Sequence, residues 1–298
     1  MSVSAAGSPA SWGIEPPEPV QDPPWPHVLA EIAGAGYAGT ELGPLGYLPT
    51  APAALVDALA GASLALAAGF VMAPLTRTGG AAELAAATRA TCELVRAGGA
   101  EHLILMDAID PERAASAGRG EVARRLDATG RRRLEDAVRR VAAIAGGEYG
   151  LRVSFHAHAG THVEFEDELE GLLAAVGAQE LGLCPDTGHY RYAGMDPVAM
   201  LRRHGPRVAY LHLKDIDERR LERARAECRS FGEAVADGIF RPLGEGCVDF
   251  AGVRDALEEL GYAGWATVEQ DRLPDASQTP FAEASRSLAF LRRTRLAA

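Results

Sequence analysis

The chain has 298 residues, 47% of them hydrophobic, and carries a formal net charge of −11. That length buries a large core without cross-links, and the acidic balance disfavours nucleic acid or an anionic membrane as partner, since both need a basic face. The four cysteines (Cys92, Cys184, Cys228 and Cys247) stand apart, with no CxxC pair, and read as reduced thiols. No charged and apolar leader opens the chain and no apolar run reaches spanning length, so a soluble, cytoplasmic protein with no membrane partner is expected. The acidic surface leaves the assembly state open, a homo-oligomer included.

An apolar strand is expected at 8–14, followed by a Pro-rich stretch, 15–26, that reads either as a rigid loop over a barrel mouth or as a surface turn into the first helix. A helix at 25–35 closes on Gly34-Ala35-Gly36-Tyr37, where glycine suits a left-handed C-terminal cap. Further strands are expected at 37–43, 63–72, 101–107, 151–158, 180–186, 207–214 and 264–270. Helical periodicity marks 53–60, 81–97, 131–145, 166–175, 197–204 and 250–260. The arginine-dense stretches 119–133 and 219–229 read as solvated helix faces. The second lies in a long insertion between the seventh and eighth strands, placed to cap the active-site face. Strands alternating with helices imply a parallel sheet, and eight such units in about 300 residues fit an α/β fold, a (β/α)8 TIM barrel as one domain over 1–298. A doubly wound sheet competes, but no GxGxxG follows the first strand.

Four consecutive strands end in groups able to bind a metal. These are Phe155-His156-Ala157-His158, Cys184-Pro185-Asp186-Thr187-Gly188-His189, Leu211-His212-Leu213-Lys214-Asp215 and Ala266-Thr267-Val268-Glu269-Gln270-Asp271. Alternate strand residues share a face, so His156 and His158 point one way, as do His212 and Lys214. In a barrel the carboxyl ends of the strands converge on one mouth. A single histidine in apolar surroundings is ordinarily a satisfied core residue. Recurrence at successive strand ends, with Asp186 and Glu269 completing the ring, points instead to a divalent metal. Mixed imidazole and carboxylate ligands suit Mn2+ or Co2+, with Zn2+, Fe2+ or Mg2+ as alternatives, better than Ca2+ or a thiolate-bound metal.

These segments, with Ser8-Pro9-Ala10-Ser11-Trp12-Gly13, Gly36-Tyr37-Ala38-Gly39-Thr40-Glu41-Leu42-Gly43 and Pro242-Leu243-Gly244-Glu245-Gly246-Cys247-Val248-Asp249-Phe250, carry a resemblance. From residue 8 to 271 the chain resembles the xylose-isomerase-like barrels, the superfamily of sugar isomerases and epimerases that also includes endonuclease IV. Within it the inosose dehydratases are the most similar branch. The resemblance implies metal ligands at Asp186, His212 and Glu269. The fifth-strand position, a glutamate in the isomerases, falls on His156, with His158 as the competing ligand. It also implies a substrate- or metal-contacting His189, and substrate contacts at Trp12 and Glu41.

The missing glutamate weakens an epimerase mechanism, which needs two acid/base carboxylates on opposite faces of the substrate. Dehydration of a polyhydroxy cyclic ketone such as 2-keto-myo-inositol requires a base for the acidified α-proton and an acid for the departing hydroxyl. His158, His189 and Lys214 are the expected catalytic groups, with Glu41 as a further candidate and a histidine as the base. A Lys214 ion pair with Asp215 or Glu269 is the competing assignment for the lysine. A ketose isomerase or 3-epimerase on the same site, and a non-catalytic sugar-binding barrel, are the competing functions.

Overall fold

Eight short parallel strands pair edge to edge around the molecule. They are β1 (Ser2–Gly7), β2 (Gly39–Glu41), β3 (Ala65–Ala73), β4 (His102–Asp107), β5 (Arg152–Phe155), β6 (Gly182–Leu183), β7 (Leu211–Leu213) and β8 (Ala263–Val268). The order is β6-β5-β4-β3-β2-β1-β8-β7, and parallel bridges Leu183↔Val208 and Asp186↔His212 close β6 onto β7. The result is a TIM barrel with helices between successive strands. The computed structural model describes residues 2–14, 23–272 and 279–297. Positions 15–22 of the expected Pro-rich loop lie outside the described residues. Among those described, no helix is long and apolar enough to cross a membrane.

The strand expected at 8–14 is a correction. There the chain turns: Ser8 Oγ accepts the Ala10 N–H, Pro9–Trp12 forms a 3-10 turn, and Gly13 ends it at φ 80°. Pro9 has no N–H to give a ladder. The first strand lies upstream instead, in Ser2–Gly7, whose small residues have little strand preference of their own. Pairing with β8 and β2 on its two edges orders it. The other strands fall at their expected places, mostly shorter.

The helices Trp25–Ala35, Ala81–Ala97, Glu166–Ala175 and Pro197–His204 match expectation. Gly36 caps the first of them at φ 96°. The helix expected at 131–145 begins earlier, at Ala128, because Asp127 accepts the Gly130 N–H. It passes at Ala143 into a π-helical turn. Only the end of the 119–133 stretch is therefore helical.

Outward-facing strand residues such as Val3, Ala5, Leu66, Val71, Leu103 and Leu105 pack with the helices in the main core. A separate apolar cluster of Ala6, Ala68, Ile104, Met106, Cys184 and Tyr210 fills the barrel. Gly39 in β2 sits where no side chain fits. A Cβ there would lie 2.7 Å from the Ala65 carbonyl oxygen and 2.9 Å from the Trp265 ring.

The segments beyond β4 and β5 are clamped together at the mouth. Arg113 is buried and donates to the carbonyls of Thr161 and Arg124 and to Glu168. Glu164, 3.6 Å from Arg113, accepts the Gly118 and Gly160 N–H groups, and burial pushes its carboxyl up to about 7. Asp107, at the end of β4, accepts from the Leu75 N–H and from the Nδ1 and backbone N–H of His162.

Two predictions follow from these contacts. Gly39→Ala should lower the free energy of unfolding by about 1–3 kcal/mol, the usual effect of overpacking, read from the urea midpoint. The hydrogen bond to Asp107 raises the His162 pKa. A raised folded value stabilises fully below the unfolded value of about 6.5 and is lost as pH rises through the folded one. His162→Gln should therefore be less stable than wild type at pH 6, with the gap narrowing as pH rises above neutrality. Parallel melting-temperature curves would contradict this.

Candidate active site

Four strand ends deliver one group of side chains. His156 directly follows β5, His212 is the middle residue of β7, and Glu269 directly follows β8. Asp186 lies past β6, where Oδ1 accepts the His189 N–H. Ligand atoms of His156, Asp186, His212 and Glu269 all lie within 4.8 Å of one another. Both ring nitrogens of His156, Oδ2 of Asp186 and Nδ1 of His212 are buried with no hydrogen-bond partner among the described residues. Each such buried atom left unpaired costs about 1–3 kcal/mol. Their concentration on one point, with two imidazoles and two carboxylates, fits a divalent cation.

The surroundings orient these groups. Glu41 Oε1 lies 2.9 Å from His212 Nε2, which turns Nδ1 toward the other three residues, and Ser8 Oγ donates to Glu269 Oε1 at 3.0 Å. A carboxylate behind a ligating imidazole is a common support for a metal site. Burial drives the His156 pKa well down, with His212 and His189 adding to it, so the ring is neutral and its lone pair is free. Burial pushes Asp186 up to about 6 against the pull of Lys214 and His212. Burial also opposes the charge of Glu269, but Lys214 and His212 outweigh it and hold that carboxyl well below its ordinary range.

Lys214 has its whole side chain buried, and its ammonium donates to Asp271 Oδ1. It stands 2.8 Å from His189 Nε2, 3.1 Å from Glu269 Oε2 and 3.6 Å from Asp186 Oδ2, with the Phe240 ring centre at 5.1 Å. Asp215, one of its two expected ion partners, is elsewhere: its carboxylate accepts the N–H groups of Ile216, Gly244, Gly246 and Val248. Glu269, the other expected partner, is engaged.

The two remaining histidines differ in what their nitrogens meet. His189 Nδ1 accepts the Ala159 N–H at 3.3 Å, and its Nε2 stands 2.8 Å from the Lys214 ammonium. His158 Nδ1 lies 2.8 Å from the Ala159 carbonyl oxygen. A carbonyl only accepts, so Nδ1 carries the proton and Nε2 holds the lone pair. Burial lowers the His158 pKa, which keeps it neutral.

His158 lines the mouth cavity together with His156, His212, Glu269 and Asp271. Facing them is an apolar wall of Ile14, Phe70, Met72, Met106 and Ile109, with Glu41 and Ser8 between. His189 and Lys214 are behind this lining. So is Trp12, expected as a substrate contact: it is buried in the core and its indole N–H donates to Glu31. The insertion after β7 supplies Phe231, 5.3 Å from His158 between ring centres, and Phe240, 5.6 Å from His189, which shield both rings.

Three participants escape a reading of the sequence. Asp271 has a usable signal, since it stands two residues beyond Glu269 and so on the same side of the strand end. Ser8 and Cys184 have none. Cys184 forms a second possible metal group with His156 and His212, but burial raises its thiol pKa and disfavours the thiolate a metal needs.

Residues 29–294 match the family model described as Xylose isomerase-like TIM barrel. The chain belongs to this family. It is 35% identical over 287 residues to the rhizopine catabolism protein MocC of Rhizobium meliloti, covering 92% of this chain and 83% of that one. It is 33% identical over 252 residues to an inosose dehydratase of Geobacillus kaustophilus (strain HTA426), covering 83% and 80%. Among solved structures it superposes on the IOLI protein with a bound zinc atom at a TM-score of 0.71, with 14% identity and 98% of each chain covered.

Asp186→Asn, His156→Ala and His212→Ala should each weaken Mn2+ or Co2+ binding by at least about tenfold, while Glu41→Gln, which only supports His212, should fall within about 10–100-fold. Titration calorimetry on chelator-stripped protein measures this. Wild-type affinity in all four variants would place the metal elsewhere.

Proposed function

We propose that the protein is a divalent-metal-dependent dehydratase, a carbon–oxygen lyase that removes water from a polyhydroxy cyclic ketone such as 2-keto-myo-inositol. The observation that carries this reading is His158. Its Nε2 is unprotonated, its ring is neutral, and it lines the same cavity as the four-residue group. Similarity to an inosose dehydratase supports a sugar-processing enzyme, and the zinc atom bound by the IOLI protein, which shares the fold, supports a bound metal.

His156, Asp186, His212 and Glu269 would hold the cation, with Mn2+ or Co2+ foremost and Zn2+, Fe2+ or Mg2+ as the other candidates. When bound, it supplies a Lewis acid for the negative charge that develops on the ketone oxygen. His158 Nε2 takes the α-proton, and the C–H electron pair becomes the new carbon–carbon double bond as the β-hydroxyl departs. The imidazolium then returns a proton to that hydroxyl, which leaves as water, so one residue serves as base and as acid. His189 and Lys214 contribute from behind the cavity: Lys214 balances the charge of Glu269 and Asp271, and His189 packs against the His158 ring at 3.8 Å between centres.

Metal-loaded wild type incubated with 2-keto-myo-inositol should generate the absorbance of a conjugated dione. His158→Ala should lose about 10²–10⁴-fold in turnover, the usual range for a general acid/base, with metal affinity unchanged. Epimerised ketohexose without inosose turnover would replace this reading by that of a 3-epimerase.

A further inference from the structure

Among the described residues lining the cavity, Asp271 is the one carboxylate neither part of the four-residue metal group nor bonded to one of its histidines. It is 7% exposed and lines the cavity. Oδ1 is taken by the Lys214 ammonium. Oδ2 is buried and has no hydrogen-bond partner among the described residues. The His189 Nε2 stands 3.4 Å away and makes no hydrogen bond to it. A buried carboxylate oxygen left in this state is costly unless a donor arrives with the ligand.

We infer that Asp271 is a substrate-contacting catalytic residue whose Oδ2 accepts a hydrogen bond from a hydroxyl of the substrate and so sets the ring with its α C–H toward His158. This rests on the dehydratase reading and adds to it a requirement on the substrate. With Oδ1 taken by the Lys214 ammonium, Oδ2 is left as an acceptor, so the group it meets must be a donor, which for a polyol ketone is a hydroxyl. Among the described residues, the apolar wall of Ile14, Phe70, Met72, Met106 and Ile109 brings no polar side chain to that hydroxyl. A site built around a substrate hydroxyl rejects an analogue lacking it far more strongly than an apolar pocket rejects a missing methylene.

Asp271→Asn tests the assignment. Lys214 keeps the amide oxygen, so the amide NH2 faces the cavity and meets the hydroxyl donor to donor. On the full substrate, kcat/KM should fall by at least about tenfold, with Mn2+ affinity by calorimetry within about threefold of wild type and partial recovery in Asp271→Glu. Across a panel of monodeoxy inososes, one analogue should give wild type and Asp271→Asn the same kcat/KM, because its missing hydroxyl is the one Oδ2 receives. Wild-type kinetics in Asp271→Asn, an equal penalty on every analogue, or a tenfold loss of metal affinity would each overturn the inference while leaving the dehydratase reading intact. A wild type inactive on the whole inosose panel would overturn that reading, and this inference with it.

Discussion

A charge removed from water persists only where opposite charge and hydrogen bonds meet it, and the mouth of this barrel is arranged around one such charge. The Lys214 ammonium lies beneath the cavity with Asp271, Glu269 and Asp186 about it. Its presence lets carboxylates stand close together without all taking up protons. It holds Glu269 ionised. The backbone is tied to the same point. Thr187 Oγ1 donates to the Lys214 carbonyl and accepts its N–H, which sews the end of β6 to β7 where the barrel closes. Gly188 permits this approach, since a Cβ there would lie 2.6 Å from Lys214 Cγ.

Much of this was legible in the sequence because helical periodicity and strand-end chemistry are local signals. The helix Ala81–Ala97 has a regular apolar stripe and was readable to the residue. The placement of His156, Asp186, His212 and Glu269 near successive strand ends was readable as well, each after an apolar run. What escaped depends on partners distant in the chain. Ser2–Gly7 becomes a strand only because β8 and β2 flank it, and local composition favours the apolar residues just after it. The different states of His158 and His189 come from which atom of Ala159 faces each Nδ1, the carbonyl oxygen in one case and the N–H in the other. No spacing rule reports that. Lys214 adjoins Asp215 in sequence yet pairs with Asp271, because successive strand residues face opposite ways.

The cavity has a division that follows the chain. Segments up to residue 109 contribute Ile14, Phe70, Met72, Met106 and Ile109, while those from residue 156 onward contribute His156, His158, His212, Glu269 and Asp271. Ser8 and Glu41 cross the divide, but each is committed to a residue of the second set. Among the described residues, the apolar and the titratable parts of the lining are thus encoded in separate halves of the gene. Exchange of the first half between relatives can redraw the apolar wall while the histidines and carboxylates pass through untouched, provided a serine and a glutamate are kept at those two positions.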